Sequence, residues 1–213
     1  MRERERIIRR VNARATSAEP VGGLVLAAGA GLRFGSQKQL ALLDGRPLLE
    51  YALAAMARAA SVDHTVVVLG SRASEILAAV ELHGARAVIC ANWEEGQSAS
   101  LRSGVAALTG SAGAAVVILG DQPAIDPRAI DRVTGARDRR AAAVRATYAG
   151  RPGHPVLLER SLFSAVGNLR GDEGARSLLS GAAVTLVACD GLGSDEDVDT
   201  AEQLRLGAGG AEP

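Results

Sequence analysis

The chain alternates between short unbroken apolar runs and segments whose apolar positions recur every three or four residues. Runs such as VVVL at 66–69 and AVVIL at 115–119 suit strands buried on both faces, as in a mostly parallel sheet. The same pattern predicts strands over Gly23–Ala28, Thr65–Leu69, Ala87–Cys90, Ala115–Leu119, Ala141–Arg145, Pro155–Leu158 and Val184–Cys189. Between them Leu49, Leu53 and Met56 recur at helical spacing, as do Leu101, Val105 and Leu108. Pro47 suits the first turn of the earlier helix, and Ser98 or Ser100 a capping position on the later one. Strands alternating with helices imply right-handed crossovers, hence an α/β fold with a single-domain, doubly wound, mostly parallel sheet. Ligands on such sheets lie at the carboxyl ends of strands, which directs attention to the residues after 28, 70, 90, 119 and 189.

The pattern stops at both ends. Residues 1–20 hold six Arg and three Glu with no apolar face, and residues 207–213 read GAGGAEP. The expected organisation is a charged flexible extension (1–20), a domain over 21–206 and a flexible tail (207–213). Composition changes the picture little. A chain of 213 residues can bury roughly 70% of its unfolded surface in one domain. Aromatics are 2% against 47% hydrophobic residues, so the core must be aliphatic and alanine-rich. Basic and acidic residues balance at 24 each, leaving no global field to attract nucleic acid or an anionic membrane. No apolar run reaches the roughly 18 residues of a membrane span. Arg9-Arg10 is followed by no apolar segment, and Cys90 and Cys189 form no CxxC pair. A cytoplasmic protein with reduced cysteines is expected.

Candidate chemistry begins after the first strand. The segment LVLAAGAGLRFGSQKQL, residues 24–40, ends a buried strand in small residues, where backbone approaches a ligand closely and successive N–H groups can form an anion nest. Arg33 and Lys38 add a planar fork and a point charge. Lys38 is the one lysine in the sequence; the other 23 basic residues are arginines. Two commoner glycine loops are excluded: GxGxxG would need glycine where Phe34 stands, and no GK[ST] string exists. Asp121 follows another strand, in Gly120-Asp121-Gln122-Pro123, and a second acidic group spans Asp190 to Glu202. Magnesium prefers one or two carboxylates plus phosphate oxygens and waters, so carboxylates from two distant loops would suffice. Alone, each is equally a turn residue or a solvated loop. Without metal such carboxylates would repel, so neutralising one is expected to leave folding intact.

The loop LAAGAGLRFG…K resembles the signature of the molybdopterin nucleotidyltransferase-like (NTP transferase) family. GDQP at 120–123 and DVDTAE at 197–202 resemble its two acidic motifs, with Ala201 where proline is usual. NWEEGQSASLR at 92–102 is similar to a cleft-forming block, one residue shorter before Trp93. GRPGHP at 150–155 and GDEGAR at 171–176 resemble blocks of the molybdenum cofactor cytidylyltransferase branch. The likeness covers residues 21–206 and implies a Rossmann-like nucleotidyltransferase fold.

The resemblance also implies roles. Leu26, Ala27, Ala28, Gly29, Gly31, Arg33, Lys38, Ser100 and Asp121 would bind nucleotide, with Arg33, Lys38 and Asp121 catalytic. Asp121 and Asp199 would hold Mg²⁺, Asp199 being preferred to Asp197. Gly153, His154, Asp172 and Arg176 would bind the acceptor, although Asp172 and Arg176 could instead pair with each other. The implied reaction joins CTP to the phosphate of a molybdopterin-type acceptor with release of pyrophosphate, the product passing to a molybdoenzyme. Three alternatives stay open: a guanylyl or sugar-phosphate nucleotidyltransferase, an NAD(P)H-dependent reductase on the same scaffold, and a nucleotide-binding cofactor chaperone.

Overall fold

The computed structural model describes residues 19–31, 37–138, 140–198 and 202. Among the described residues there are nine strands: β1 (Val21–Ala27), β2 (Leu42–Leu43), β3 (Arg46–Pro47), β4 (His64–Leu69), β5 (Arg86–Ile89), β6 (Ala114–Leu119), β7 (Ala143–Tyr148), β8 (Arg151–Glu159) and β9 (Val184–Ala188). Seven of them form one sheet in the order β5-β4-β1-β6-β8-β7-β9, and β2 and β3 pair separately. The β5-β4-β1-β6 half is wholly parallel. β8 runs antiparallel to both β6 and β7, and β9 returns parallel to β7. The fold is therefore the doubly wound, mostly parallel sheet that the apolar pattern predicts.

Helices cover both faces. Val25, Ala27, Val67, Leu69, Val116 and Ile118 pack with α1 (Leu48–Arg58), α2 (Ala73–Ala79) and α4 (Pro127–Gly135). The alternate residues Leu24, Val66, Val68, Ala115 and Val117 pack with α3 (Gln97–Leu108), α5 (Phe163–Val166) and α6 (Ala175–Leu179). Strand side chains alternate in direction with a period of two, so an unbroken apolar run is what two covered faces require. Leu49, Leu53 and Met56 on α1, and Leu101, Val105 and Leu108 on α3, are all buried as their spacing predicts. Small residues set how closely the helices approach. A Cβ on Gly22 would strike Leu108, one on Gly23 would strike Met56, and one on Gly104 would strike Leu24.

Three local expectations are corrected. Neither Ser98 nor Ser100 caps α3; Gly96 does, with φ +105, and both serines are buried inside the first turn. Pro47 stands just before α1 as its N-cap rather than in its first turn. His154 lies inside β8 rather than ahead of it, because β8 runs through the whole RPGHPVLLE segment. That strand pairs with β7 across a register shift between Arg145 and Thr147, and such an irregularity lets a strand carry prolines. Strand ends elsewhere differ from the expected bounds by one or two residues, except that β7 reaches Tyr148. Glu19 and Pro20, assigned to the extension, meet the foot of the sheet: Gly113 N–H donates to the Pro20 carbonyl at 2.8 Å. Among the described residues no helix is long and apolar enough to cross a membrane.

Candidate active site

β1 and β6 are adjacent and parallel, so the loops leaving their carboxyl ends meet above the sheet. Lys38, in a single 3-10 turn (Lys38–Leu40), sends Nζ to within 2.7 Å of Asp121 Oδ2 just beyond β6. Lys38 is 7% exposed. The two residues stand 83 apart in sequence. Asp121 Oδ1 is also buried and has no hydrogen-bond partner among the described residues. A carboxylate oxygen withdrawn from water without a donor is costly unless a cation or ligand proton meets it. The lysine also changes the expectation of carboxylate repulsion, because removing the Asp121 charge leaves a buried ammonium without this partner.

The glycine loop lies beside this pair. Gly29 is exposed, and nothing described lies within 4 Å of where its Cβ would stand. Gly31 takes φ +63, a left-handed conformation that costs glycine nothing. The loop's carbonyls are held from behind: Leu26 by Gly120 N–H at 2.9 Å and Ala28 by Ser71 N–H at 3.1 Å. Gln39 Nε2 donates to the Ala27 and Gly29 carbonyls at 3.0 and 2.8 Å. Gln37 Nε2 in turn donates to Gln39 Oε1 at 2.9 Å and to the Ser71 carbonyl at 3.2 Å. Sequence reasoning passed over both glutamines, although a QKQ string flanking the sole lysine was visible. Trp93 packs beside the same loop: a Cβ on Gly70 would touch both its side chain and the Ala28 carbonyl at 2.6 Å. Arg33 lies outside the described residues.

Gln122 ties the remaining motifs together and was likewise missed. It is 2% exposed. Its Nε2 donates to the Asp195 carbonyl at 2.7 Å and to Asp197 Oδ1 at 2.8 Å, and lies 3.4 Å from His154 Nδ1. Its Oε1 accepts from Leu119 N–H, while Val198 N–H donates to the Asp121 carbonyl at 3.0 Å. The second acidic segment is thus brought against Asp121. Asp197 is the member seen there, bound to Gln122; Asp199 lies outside the described residues. Among those residues no group of three His, Cys, Asp or Glu converges as a metal cage.

The expected acceptor residues divide between two places. Gly153 faces Asp195, whose carboxylate occupies the space a Cβ on Gly153 would need, while His154 turns Nδ1 toward Gln122 Nε2. Arg145 donates to the Pro152 and Gly153 carbonyls, holding this turn of β8. Burial, and then the charges of Arg145 and Arg176, push the His154 pKa down to about 4, so the imidazole is neutral at pH 7. Burial also lowers the Arg145 pKa, with Arg176 adding to the effect. Arg176 therefore belongs with His154. Asp172 sits elsewhere, against Gly96 at the start of α3, where a Cβ would meet its Oδ1. Ser98 N–H donates to the Gly171 carbonyl at 3.1 Å, and Arg102 binds Ser98 Oγ, the Leu169 carbonyl and Glu95. Ser100, 6% exposed, lies within the first turn of α3, against which the 171–172 segment packs.

Residues 23–189 match the family described as a MobA-like NTP transferase domain. Nicotine blue oxidoreductase of Paenarthrobacter nicotinovorans is 33% identical over 195 residues, covering 86% of this chain and 94% of that protein. Among solved structures, Rv0371c from Mycobacterium tuberculosis H37Rv superposes with TM-score 0.81 at 33% identity, covering 91% of this chain and 100% of that one. The manganese complex of Rv0371c gives TM-score 0.75 at 30% identity, with coverage of 90% and 100%.

Proposed function

The chain belongs to the MobA-like NTP transferase family, and from that premise we propose that it transfers a cytidylyl group from CTP to the terminal phosphate of a molybdopterin-type acceptor, releasing pyrophosphate. The observation that carries this reading is the Lys38–Asp121 pair at 2.7 Å, with a buried second carboxylate oxygen beside it. An acceptor phosphate oxygen bonds to the α-phosphorus while the bond from that phosphorus to the bridging oxygen breaks. No covalent enzyme intermediate is required, because positioning and charge neutralisation suffice for an in-line displacement.

Asp121 fits a divalent ion: Oδ1 is buried, without a partner among the described residues, and hard in donor character. Asp199 is the proposed second ligand, reached through the segment that Val198 and Gln122 anchor to Asp121. When bound, magnesium would supply charge neutralisation on the phosphate oxygens. The chain's own residues do the rest. The nest over Ala28–Gly31 seats phosphate, while Lys38 and Arg33 oppose the charge growing on the leaving pyrophosphate. His154, neutral and stiffly held, offers a ring donor or acceptor to the acceptor molecule without adding charge, and Arg176 supplies a cation beside it. A molybdoenzyme would take up the product.

A second reading is favoured by the relative named as an oxidoreductase: a reductase using NAD(P)H on this scaffold. Such an enzyme has no use for Asp121 Oδ1 as a metal ligand. The deciding experiment is a melting screen with CTP, GTP, UTP and NADPH, each with and without Mg²⁺. Ligand at about 100 times its Kd adds about 2.7 kcal/mol, and the largest shift is expected from CTP with Mg²⁺. A larger GTP shift would move the protein to guanylyl transfer, and a metal-independent NADPH shift would favour the reductase.

A further inference from the structure

We infer that Gln39, locked by Gln37, is a positioning residue that aims the phosphate nest of the glycine loop. This rests on the nucleotide-binding reading of that loop. One amide nitrogen, Gln39 Nε2, serves two alternate carbonyls, those of Ala27 at 3.0 Å and Gly29 at 2.8 Å. Both carbonyls therefore point inward to the same place. In a planar trans peptide the N–H of the next residue points opposite to the carbonyl. The N–H groups of Ala28 and Ala30 accordingly point away from Gln39 together, toward the side on which Gly29 is open. The intervening carbonyl, that of Ala28, is turned away by Ser71 N–H. Without Gln39, the two carbonyls would have to seek water on the ligand side, which reverses the sign of the field that meets a phosphate.

Gln37 completes the device. An amide can face the loop with either end, and its oxygen against two carbonyl oxygens would be repulsive. Gln37 Nε2 donates to Gln39 Oε1 at 2.9 Å, which commits the oxygen and leaves the nitrogen for the loop. Gln37 is fixed in turn by the Ser71 carbonyl at 3.2 Å. Both glutamines are buried, at 5% and 7% exposure, and buried amide groups left unpaired are costly. They flank Lys38, so one short segment supplies both the cation on Asp121 and the orientation of the nest.

The test uses inorganic pyrophosphate and CTP as separate probes in calorimetry, with Mg²⁺ present. Gln39→Glu keeps the shape but sets a carboxylate against the two carbonyls. Gln37→Met leaves Gln39 in place and removes only the lock. Pyrophosphate affinity is expected to fall at least about tenfold in Gln39→Glu and by a smaller factor in Gln37→Met. CTP affinity should fall in parallel, whereas cytidine alone should bind each variant like the parent protein. Fluorescence of Trp93, packed beside the loop, reads the same titrations optically. Should Gln39→Glu fail to fold, Gln37→Met carries the test alone. Unchanged pyrophosphate affinity in folded variants that merely melt earlier would overturn the positioning role while leaving the proposed function standing. Failure of the parent protein itself to bind CTP or pyrophosphate would overturn both.

Discussion

The two halves of the sheet make their sites by different means. In the parallel half, β5-β4-β1-β6, main chain does most of the work: carbonyls 26–29 are tied back, and the short Lys38–Asp121 ion pair crosses between the loops after β1 and β6. In the half built on β8, β7 and β9, the strand runs the other way and side chains project from within it. His154, Arg145, Asp195 and Gln122 meet there, and Arg176 is near enough to bear on the His154 ring. The first arrangement suits phosphate, which any nucleotide presents identically. The second suits one shape of acceptor, because side chains can differ where backbone cannot. On the proposed function, the parallel βαβ frame would supply a general anion site and the antiparallel insertion the discrimination.

The sharpest way to break this division is Asp121→Asn. If the parallel half holds the chemistry, turnover falls by about 10³-fold or more, measured as pyrophosphate release at saturating Mg²⁺. Loss of the Lys38 partner should also destabilise the protein by on the order of 1 kcal/mol, since the carboxylate is partly exposed. Asp199→Asn is expected to match the loss of activity. If Asp197→Asn abolishes transfer and Asp199→Asn does not, the second ligand is the one bound to Gln122.

Next in size is Lys38→Arg. The ammonium is buried at 2.7 Å from Asp121, and a longer planar guanidinium cannot take its place without shifting the loop, so turnover should drop about 10²-fold although charge is kept. Turnover like the parent protein's would mean that only charge matters in this half.

The smallest effect belongs to the other half. His154→Ala should raise the acceptor KM about tenfold and leave the Kd for CTP unchanged, as calorimetry would read it. An equal loss for CTP would place His154 on the nucleotide side and dissolve the comparison. His154 also carries a stability signature. Its folded pKa, about 4, lies below the ordinary value of about 6.5, so the unfolded chain binds the proton more readily. Stability is therefore full above about 6.5 and is lost as pH falls toward 4, with a slope of at most about 1.4 kcal/mol per pH unit. Replacement by Ala should flatten that part of the stability curve.

Much of this was legible in the order of residues alone. Unbroken apolar runs such as 66–69 and 115–119 can be satisfied only by strands covered on both faces, so the doubly wound sheet follows from periodicity. The lone Lys38, the small residues 27–31 and the aspartate after β6 marked beforehand the loops that the structure brings together at the Lys38–Asp121 pair. What chain order cannot state is adjacency. That β1 lies next to β6 brings Lys38 to Asp121 across 83 positions, and that β8 is inserted antiparallel between β6 and β7 brings His154 to Gln122. The same holds for the three glutamines. An amide is equally at home in water, so nothing in sequence separates a solvated Gln from one whose two N–H groups are both committed. Only packing in three dimensions removes the water, and only then do Gln37, Gln39 and Gln122 have their hydrogen bonds chosen for them.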